Sequence, residues 1–467
     1  MPKLALHWFR RDLRLCDNTA LHHAARDAGS VLPVFVLSQW TQTHGWTGPA
    51  RQQFLCGSLE SLDQNLRSIG SRLTVRCGQT VDELERLVEE TGADSIYTNR
   101  DPDPHGKAIE SAVHAMCQRR GIAFHSFKDC VLHEPNEALT GEGQPYRVYT
   151  PFSKNWLALP KLAPLPKVTS LGQPMALSSL PLPTLAHWGL TSAPTLLPVP
   201  GERAARARLK YFLESGTLAR YGQLRNIPAG AHSSQLSQDL RFGLLGIREL
   251  YHRCQQFAEA NTEATTQQSV LTYVKELAWR EFYMAVLHHW PQVLETEFNE
   301  AFRHVPWESR DELFAAWKEG RTGFPIVDAG MRQLLATGWM HNRVRMITAM
   351  FLTKDLHVHW RLGESYFMQH LVDGEIASNN GGWQWSAGTG ADAAPYFRIQ
   401  NPWTQTKSYD PEGAYIKHWL PELKHVPAER LREPPKLRLA PDYPMPIVNH
   451  HEERERTLAR FKLGKNP

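Results

Sequence analysis

The stretch LALHWFRRDLRLCDNTAL, residues 4–21, decides the fold of this chain. It opens with a short apolar run that is typical of a buried strand, and it ends with Asp17 or Asn18 placed to cap a following helix. Similar runs begin near residues 31, 72, 94 and 122, and segments of helical periodicity lie between them. This alternation predicts a doubly wound α/β domain over residues 1–130, with a mostly parallel, five-stranded sheet.

The remainder of the chain follows a different pattern. Residues 131–200 are predicted to form a long interdomain linker, because from about residue 157 the segment is rich in Pro, Leu and Ser. Residues 201–467 show apolar residues at intervals of three and four, which predicts an all-α domain. No G-x-G-x-x-G motif follows the first strand, so the sequence does not support a dinucleotide bound at the sheet.

The composition is that of a folded protein, with 42% hydrophobic and 21% charged residues and a mean hydropathy of -0.44. No stretch reaches the roughly 18 apolar residues that a membrane span requires, and the N-terminus lacks a leader pattern, so we expect a cytoplasmic protein that binds no membrane. The six cysteines show no C-x-x-C spacing, which favours neither a disulfide framework nor a metal site. The net charge of +4 permits a local patch for nucleic acid.

Two predicted helices carry an unusual mixture of polar and aromatic residues on one face. In the first, the spacing i, i+3, i+4 and i+7 aligns Glu276, Trp279, Arg280 and Tyr283. In the second, the same spacing aligns Trp339, Asn342 and Met346. Such a face suits a pocket for a flat, hydrogen-bonding ligand such as a base, and the alternative is an ion-paired surface helix with interfacial aromatics.

A small, hydroxyl-rich turn, GAHSSQLSQDLRFG over residues 230–243, leads into another predicted helix. Backbone N–H groups and Ser hydroxyls at such a turn can hold a phosphate, although Ser at a helix start is more often a plain N-cap. The chain also contains 15 Trp. This number favours stacking or redox use for some of them, while core packing is the alternative for each.

Seven segments together resemble the photolyase/cryptochrome family, and within it the class I cyclobutane pyrimidine dimer DNA photolyases. They are WFRRDLRLCDNTAL (8–21), RVYTPFSKNW (147–156), SSQLS (233–237), WREFY (279–283), GFPIVDAGMRQL (323–334), GWMHNRVRM (338–346) and NNGGWQWSAGTGADAAPYFRIQNP (379–402). The likeness covers nearly the whole chain. It implies that the helical domain binds FAD and that the excited reduced flavin donates an electron to a flipped-out thymine dimer in UV-damaged DNA.

The resemblance also implies which residues contact FAD. They are Tyr221, Ser233, Ser234, Gln235, Leu236, Ser237, Arg280, Asp373, Glu375 and Asn379. Family members more often carry Asp where Glu375 stands. Asn379 matches the position that faces the reactive ring nitrogen of the flavin, where a neutral amide tolerates the reduced anion that an acidic residue would repel.

Three tryptophans match the relay through which the family passes electrons from the surface to an oxidised flavin. Trp383 matches the first, Trp360 the second and Trp307 the third. The lesion pocket is matched by Glu276, Trp279, Asn342, Met346 and Trp385. A carboxyl and an amide there can hold the carbonyl edge of the pyrimidines, while two indoles enclose the flipped bases.

Further residues are expected to contact DNA outside the lesion. The candidates are Arg225, Tyr283, Arg343, Gln405 and Lys407. Contacts to phosphates would position duplex or single-stranded DNA without reading its sequence, although each side chain could instead be an ordinary solvated one. We expect the protein to act as a monomer.

The N-terminal domain of the family usually holds an antenna chromophore. His44, Arg51 and Asp101 lie where the antenna pocket is expected. The segment around Asp101 resembles the branch that binds 8-hydroxydeazaflavin more than the branch that binds methenyltetrahydrofolate. Deazaflavin is therefore favoured, and folate or an empty site stay open.

Two other functions within the family are disfavoured by single residues. A (6-4) photoproduct photolyase would carry His at the positions of Asn342 and Met346. A plant-like, blue-light-sensing cryptochrome would carry Asp at the position of Asn379 and a long C-terminal tail. We therefore expect repair of cyclobutane dimers, without excluding a dual role.

Overall fold

Five parallel strands form the N-terminal sheet, as the sequence predicts. The computed structural model describes residues 3–173, 177–391 and 398–465. The strands are β1 (Leu4–Trp8), β2 (Ser30–Leu37), β3 (Thr74–Cys77), β4 (Ser95–Asn99) and β5 (Ala123–Phe127). Their order in the sheet is β3-β2-β1-β4-β5, and every neighbouring pair is parallel, with Leu6 opposite Leu32 on one side and Ile96 on the other. The doubly wound fold class is thus confirmed.

Helices cover both faces of this sheet. They are α1 (Thr19–Asp27), α2 (Pro49–Arg67), α3 (Thr80–Thr91) and α4 (Pro104–Arg120). Successive residues of β2 point to opposite faces. Val31 and Phe35 therefore pack in the cluster that contains α1 and α2, whereas Leu32 and Val34 pack with α3 and α4.

Of the two candidate caps of α1, Asn18 is the one used. Its side-chain oxygen accepts a hydrogen bond from the N–H of Leu21 at 3.1 Å. Asp17 has a left-handed φ of 53°, and its carboxylate accepts from Arg248 Nε and from the N–H of Leu165, each at 2.8 Å. Asp17 therefore ties the loop after β1 to residues far along the chain.

The rest of the described chain is helical apart from its connections. The helices are α5 (Tyr149–Ala158), α6 (Glu202–Glu214), α7 (Tyr221–Leu224), α8 (Ser237–Phe242), α9 (Ile247–Ala260), α10 (Ala264–His289), α11 (Asp311–Glu319), α12 (Pro325–Thr337), α13 (Asn342–Lys354), α14 (Trp360–His370), α15 (Ile376–Ala387), α16 (Pro402–Tyr409), α17 (Ala414–Trp419) and α18 (His450–Lys465). Between α5 and α6, the described residues contain only one 3₁₀ turn, Leu185–Trp188. No helix within the described ranges is long and apolar enough to cross a bilayer, and no group of three or more His, Cys, Asp or Glu side chains there is placed to hold a metal ion.

One apolar core runs across the domain boundaries that the sequence predicts. Phe9 after β1, Phe54 of α2, Phe282 of α10 and Ala377 of α15 belong to the same buried cluster. A second cluster joins α12, α13, α14, α15 and α17. Helix α15 lies against α10, α13 and α14, so the motif that begins at Asn379 is placed at the centre of the helical part. The boundaries near residues 130 and 200 stay predictions.

Candidate active site

A cavity of about 660 Å³ opens among the helices. Its walls come from α7, the turn before α8, α10, the start of α13, the loop before α15, and α15 itself. It is lined by every residue predicted to contact FAD and by every residue predicted for the lesion pocket. Of the predicted DNA contacts, it is lined by Arg225, Tyr283 and Arg343. Residues that are scattered over more than 160 positions of sequence thus share one space.

The hydroxyl-rich turn lies against this cavity in a constrained conformation. Gln235 has a φ of 49°, a left-handed value that costs a non-glycine residue about 1–2 kcal/mol. Its carbonyl accepts from Gln238 Nε2 at 2.5 Å, and Trp339 Nε1 donates to Ser237 Oγ at 3.4 Å. Strain held in this way indicates a functional constraint on the conformation of this turn.

Helix α10 presents its mixed face to the cavity. Glu276, Trp279, Arg280 and Tyr283 all line the space, as their spacing suggests. The ring of Trp279 stacks on that of Tyr149, with centroids 3.5 Å apart and planes at 8°. Tyr149 is a lining residue that the sequence did not single out, although it lies within the motif RVYTPFSKNW. Its hydroxyl donates to the carbonyl of Lys275 at 2.7 Å, which fixes the stack.

Glu276 forms an ion pair with Arg225 at the half-exposed part of the cavity. Burial raises the pKa of the Glu276 carboxyl, and the guanidinium of Arg225 opposes that shift. A carboxyl with a raised pKa can take up a proton and donate a hydrogen bond to a carbonyl oxygen. The same ion pair means that Arg225 already has a partner in the protein, which a DNA phosphate would have to replace.

The second predicted face begins at the N-terminus of α13. Asn342 and Met346 line the cavity one turn apart. Arg343 Nη2 donates to Asn226 Oδ1 at 2.8 Å, and its guanidinium lies 4.5 Å from the ring centre of Tyr409. Asn342 and Met346 are therefore presented to the cavity by a helix start whose arginine is held in place.

A buried acid that is protonated at neutral pH lies behind Asn379. Asn379 Nδ2 donates to the carbonyl oxygen of Glu364 at 3.1 Å, and Asn380 Nδ2 donates to Glu364 Oε1 at 2.9 Å. Burial raises the pKa of Glu364 to about 8, against which the hydrogen bond from Asn380 acts only weakly. The carboxyl is thus protonated at neutral pH, so Glu364 adds no negative charge behind Asn379. Glu364 was not predicted from the sequence, since no local pattern marks it.

Glu375 lies in a buried charge cluster at the junction with the N-terminal domain. Its carboxylate pairs with Arg11, which follows β1, and with Arg280 Nε at 3.0 Å. Burial alone would raise the pKa of Glu375, but Arg280, Arg11 and Arg241 lower it to about 2. Asp373, also on the loop before α15, pairs with Arg345 at 2.8 Å. These acids hold two arginines of the cavity wall.

The glycine pair of the motif NNGGWQW allows close packing on one side and open space on the other. A Cβ on Gly381 would lie 2.1 Å from Cδ1 of Tyr283, so only glycine lets α15 approach α10 this closely. Gly382 lines the cavity, and a Cβ there would have no neighbour within 4 Å among the described residues. Three residues further on, the ring centre of Trp385 lies 5.1 Å from the guanidinium of Arg398. Residues 392–397 of the same motif lie outside the described ranges.

The three tryptophans predicted to form the relay are joined by neighbouring residues in a row that leads away from the cavity. Trp383 lines the cavity and is buried, and a Cβ on Gly363 would lie 2.1 Å from its Cη2. Gly363 is three residues beyond the fully buried Trp360 on α14. The ring of His359 lies 5.7 Å from Trp360 and 5.3 Å from the half-buried Trp307. Trp383 and Trp360 are thus buried, whereas Trp307 is partly exposed.

The remaining predicted residues lie outside the cavity lining. Gln405 and Lys407 are on α16, and Lys407 is exposed. Arg51 is buried and donates to the carbonyls of Trp46, Met368 and Leu371 at 2.6–3.1 Å. Asp101 pairs with Arg10 and Arg11. His44 is exposed, with its ring 5.2 Å from that of Trp40, which in turn stacks on Trp188.

Known proteins resemble this chain over its whole length. Residues 5–170 match the family model described as DNA photolyase, and residues 273–463 match the model described as FAD binding domain of DNA photolyase. A deoxyribodipyrimidine photo-lyase of Synechococcus sp. is 41% identical over 98% of this chain and 96% of its own. The crystal structure of a class III photolyase from Agrobacterium tumefaciens matches with a TM-score of 0.92 and 36% identity, covering 100% of this chain and 98% of that one. A cryptochrome of Synechocystis sp. PCC6803 matches with a TM-score of 0.89 and 30% identity, covering 98% and 99%.

Proposed function

Because this chain belongs to the DNA photolyase family, we propose that it uses light to split cyclobutane pyrimidine dimers in DNA, with FAD bound in the cavity. The observation that carries the proposal is the continuity of the cavity. One space is lined both by residues suited to a flavin dinucleotide and by residues suited to a pair of pyrimidines. A ligand and a substrate held there would lie in direct contact.

The donors and acceptors of the cavity suit FAD. Arg280 Nη2 and Asp373 Oδ1 are buried and have no hydrogen-bond partner in the part of the chain that the structure describes. Each such group costs about 1–3 kcal/mol unless a ligand satisfies it. FAD carries phosphate oxygens for the guanidinium and ribityl or ribose hydroxyls for the carboxylate, and the hydroxyls of Ser233, Ser234 and Ser237 add further partners. A volume of about 660 Å³ is within the range of cofactor pockets.

The residues around the cavity divide the remaining work. When bound, reduced FAD supplies under illumination the electron that opens a dimer. Asn379 faces the electron-rich ring as a neutral amide, and the protonated Glu364 behind it adds no negative charge. Glu276 and Asn342 bind the carbonyl edge of the pyrimidines, where negative charge develops. Trp279, backed by Tyr149, and Trp385 enclose the extruded bases.

Within the family, Asn342 and Met346 support a cyclobutane dimer as the lesion, because the (6-4) branch has His at both positions. A class III photolyase shares the fold, so assignment to class I rests on the sequence motifs. Asn379 supports repair over light sensing. Because a cryptochrome shares the fold, light-dependent signalling is the alternative function.

Two further parts of the proposal concern partners at the surface. Arg225, Arg343, Gln405 and Lys407 are proposed to contact DNA, with Arg225 exchanging Glu276 for a phosphate. A deazaflavin antenna is proposed near His44, where Trp40 and its stack on Trp188 offer an aromatic surface. Reconstitution with 8-hydroxydeazaflavin or methenyltetrahydrofolate, read by energy transfer to flavin, tests the antenna separately.

One experiment tests the function. The purified protein is reduced and mixed, in parallel samples, with oligonucleotides that carry a cyclobutane dimer or a (6-4) photoproduct. Each mixture is then illuminated with blue light. We expect a flavin absorption spectrum and loss of the cyclobutane dimer alone. A flavin-loaded protein that repairs neither lesion would refute the repair function and favour the sensor. Repair of the (6-4) product would refute the lesion assignment.

A further inference from the structure

A buried carboxylate contacts the middle tryptophan of the proposed relay. Trp360 Nε1 donates a hydrogen bond to Glu297 Oε1 at 3.1 Å. Trp360 is fully buried and Glu297 is 7% exposed. Among the described residues, no Lys, Arg or His side chain lies within 4 Å of the Glu297 carboxylate, and Arg303 Nε donates instead to the backbone carbonyl of Glu297 at 3.4 Å. A charge in this position acts on Trp360 with little screening.

The neighbouring indoles have different hydrogen bonds. Trp383 Nε1 is buried and has no acceptor in the described ranges. Trp317, whose ring centre is 6.1 Å from that of Trp383, donates to the neutral carbonyl of Thr348 at 3.0 Å. Only Trp360 of these three donates to an ionisable group. Because a charged acceptor stabilises a donor that becomes positive, the environment makes Trp360 easier to oxidise than Trp383.

The segment that presents Glu297 is fixed to the helix of the inner tryptophan. Gln384, next to Trp383 on α15, accepts from the N–H of Phe298 at 2.8 Å and donates to the carbonyl of Thr296 at 3.2 Å. The N–H of Asn299 donates to the carbonyl of Thr389 at 2.9 Å. These bonds hold both flanks of Glu297 in place, so its charge is oriented before any electron moves.

The histidine between the middle and outer tryptophans adds no positive charge at neutral pH. His359 Nδ1 accepts from the N–H of Arg361 at 3.2 Å. Burial lowers the pKa of His359, and although Glu297 opposes this shift, Arg361 adds to it. The imidazole is therefore neutral and does not oppose the charge of Glu297 beside Trp360.

We propose that Glu297 is a positioning residue of the relay, whose carboxylate holds positive charge at Trp360 so that the charge moves outward from Trp383. The proposal rests on the relay included in the proposed function. After Trp383 has lost one electron to a light-excited oxidised flavin, Trp360 gives one electron to Trp383. Trp383 becomes neutral, Trp360 becomes a radical cation hydrogen-bonded to Glu297, and no proton or covalent bond moves. Trp307 then gives one electron to Trp360.

The test isolates this step by removing the outer tryptophan. In a Trp307→Phe background the positive charge can reside only on Trp360 or Trp383, and charge on Trp360 recombines more slowly because it is further from the flavin. Glu297→Gln in this background keeps an acceptor oxygen and removes the charge. Since a hydrogen bond to a charged group is worth about 1.5–3 kcal/mol, we expect the slowly recombining fraction in transient absorption to fall relative to the fast one by about tenfold or more.

The controls separate the possible outcomes. Glu300→Gln, three residues away with a side chain 73% exposed, should leave recombination unchanged. Ultraviolet resonance Raman of the indole N–H should report a weakened bond in Glu297→Gln whatever the flavin does. Equal recombination in Glu297→Gln and its parent would overturn this inference alone, whereas a wild-type protein that repairs no dimer would overturn the proposed function. If Glu297→Gln does not fold, Glu297→Met, which is apolar and of similar length, replaces it. The slowly recombining fraction should fall by the same factor in Glu297→Met, and an unchanged fraction would refute the inference.

Discussion

Replacing Glu375 by Gln tests the charge cluster that joins the two halves of the molecule. Its carboxylate is buried between Arg11, from the loop after β1, and Arg280, from α10. Glutamine keeps the size of the side chain and removes its charge. Arg11 would keep Asp101 as a counter-charge, but Arg280 would lose its carboxylate partner in a buried site, which is the costly way to disrupt an ion pair.

The size of the effect follows from the pKa of Glu375. A pKa of about 2 in place of the ordinary 4.5 corresponds to about 3 kcal/mol of stabilisation once the group is ionised in both states. Because the folded-state pKa is below the unfolded one, this contribution is complete above pH 4.5 and is lost as the pH falls toward 2. We therefore expect Glu375→Gln to lower the free energy of unfolding by about 3 kcal/mol at neutral pH, and by less in acid.

Urea unfolding followed by tryptophan fluorescence measures both quantities, at neutral pH and at about pH 3. Glu142→Gln, on an exposed turn, is the matched control and should leave the unfolding free energy unchanged. A loss below about 1 kcal/mol at neutral pH would refute the reasoning. So would a loss of equal size at both pH values, because it would show that shape rather than charge is responsible.

Three further predictions concern the cavity. Trp307→Phe should block photoreduction of bound flavin while chemically reduced enzyme still repairs dimers, and unchanged photoreduction would contradict the relay. Glu276→Ala should lower the yield of repaired dimers about tenfold or more, since a hydrogen bond to an ionisable group is lost at the lesion, while flavin absorbance stays at the wild-type level. Glu364→Gln should abolish a fall in stability that wild type shows between pH 4.5 and about 8, where the unfolded carboxyl is ionised and the buried one is not. Denaturant unfolding at several pH values across this window measures the unfolding free energy of both proteins. An equal pH dependence in wild type and Glu364→Gln would exclude the raised pKa.

Regular patterns made the fold predictable from the sequence. Each strand of the sheet lies within two residues of the apolar run that predicted it, because a buried parallel strand needs nearly continuous apolar residues. Asn18 could be named as one of two caps for the same reason, since capping depends on neighbours close in sequence. The face of α10 that carries Glu276 and Trp279 followed from helical periodicity.

Contacts between distant positions left no such pattern. Arg11 and Glu375 are separated by 364 residues, and nothing local to either one indicates the pair. No sequence motif marks Glu364 on α14, so its contact with Asn380 became visible only in three dimensions. Glu297 was missed for the same reason, because its segment has no periodicity and its meaning depends entirely on Trp360. The roles of Asn379 and Trp383 were predicted from the family resemblance. Their spacing in the sequence alone would have indicated only core packing.

The apolar cluster that crosses the predicted boundaries affects how the chain folds during its synthesis on the ribosome. The sheet emerges first, yet the face beneath α1 and α2 shares its cluster with residues as late as Ala377. At about 5–20 residues per second, the wait for that partner is on the order of tens of seconds. During that interval the nascent chain exposes an apolar face that chaperones or other unfolded chains can bind. Slow translation should therefore favour aggregation more than it would for a protein built of independently folding domains.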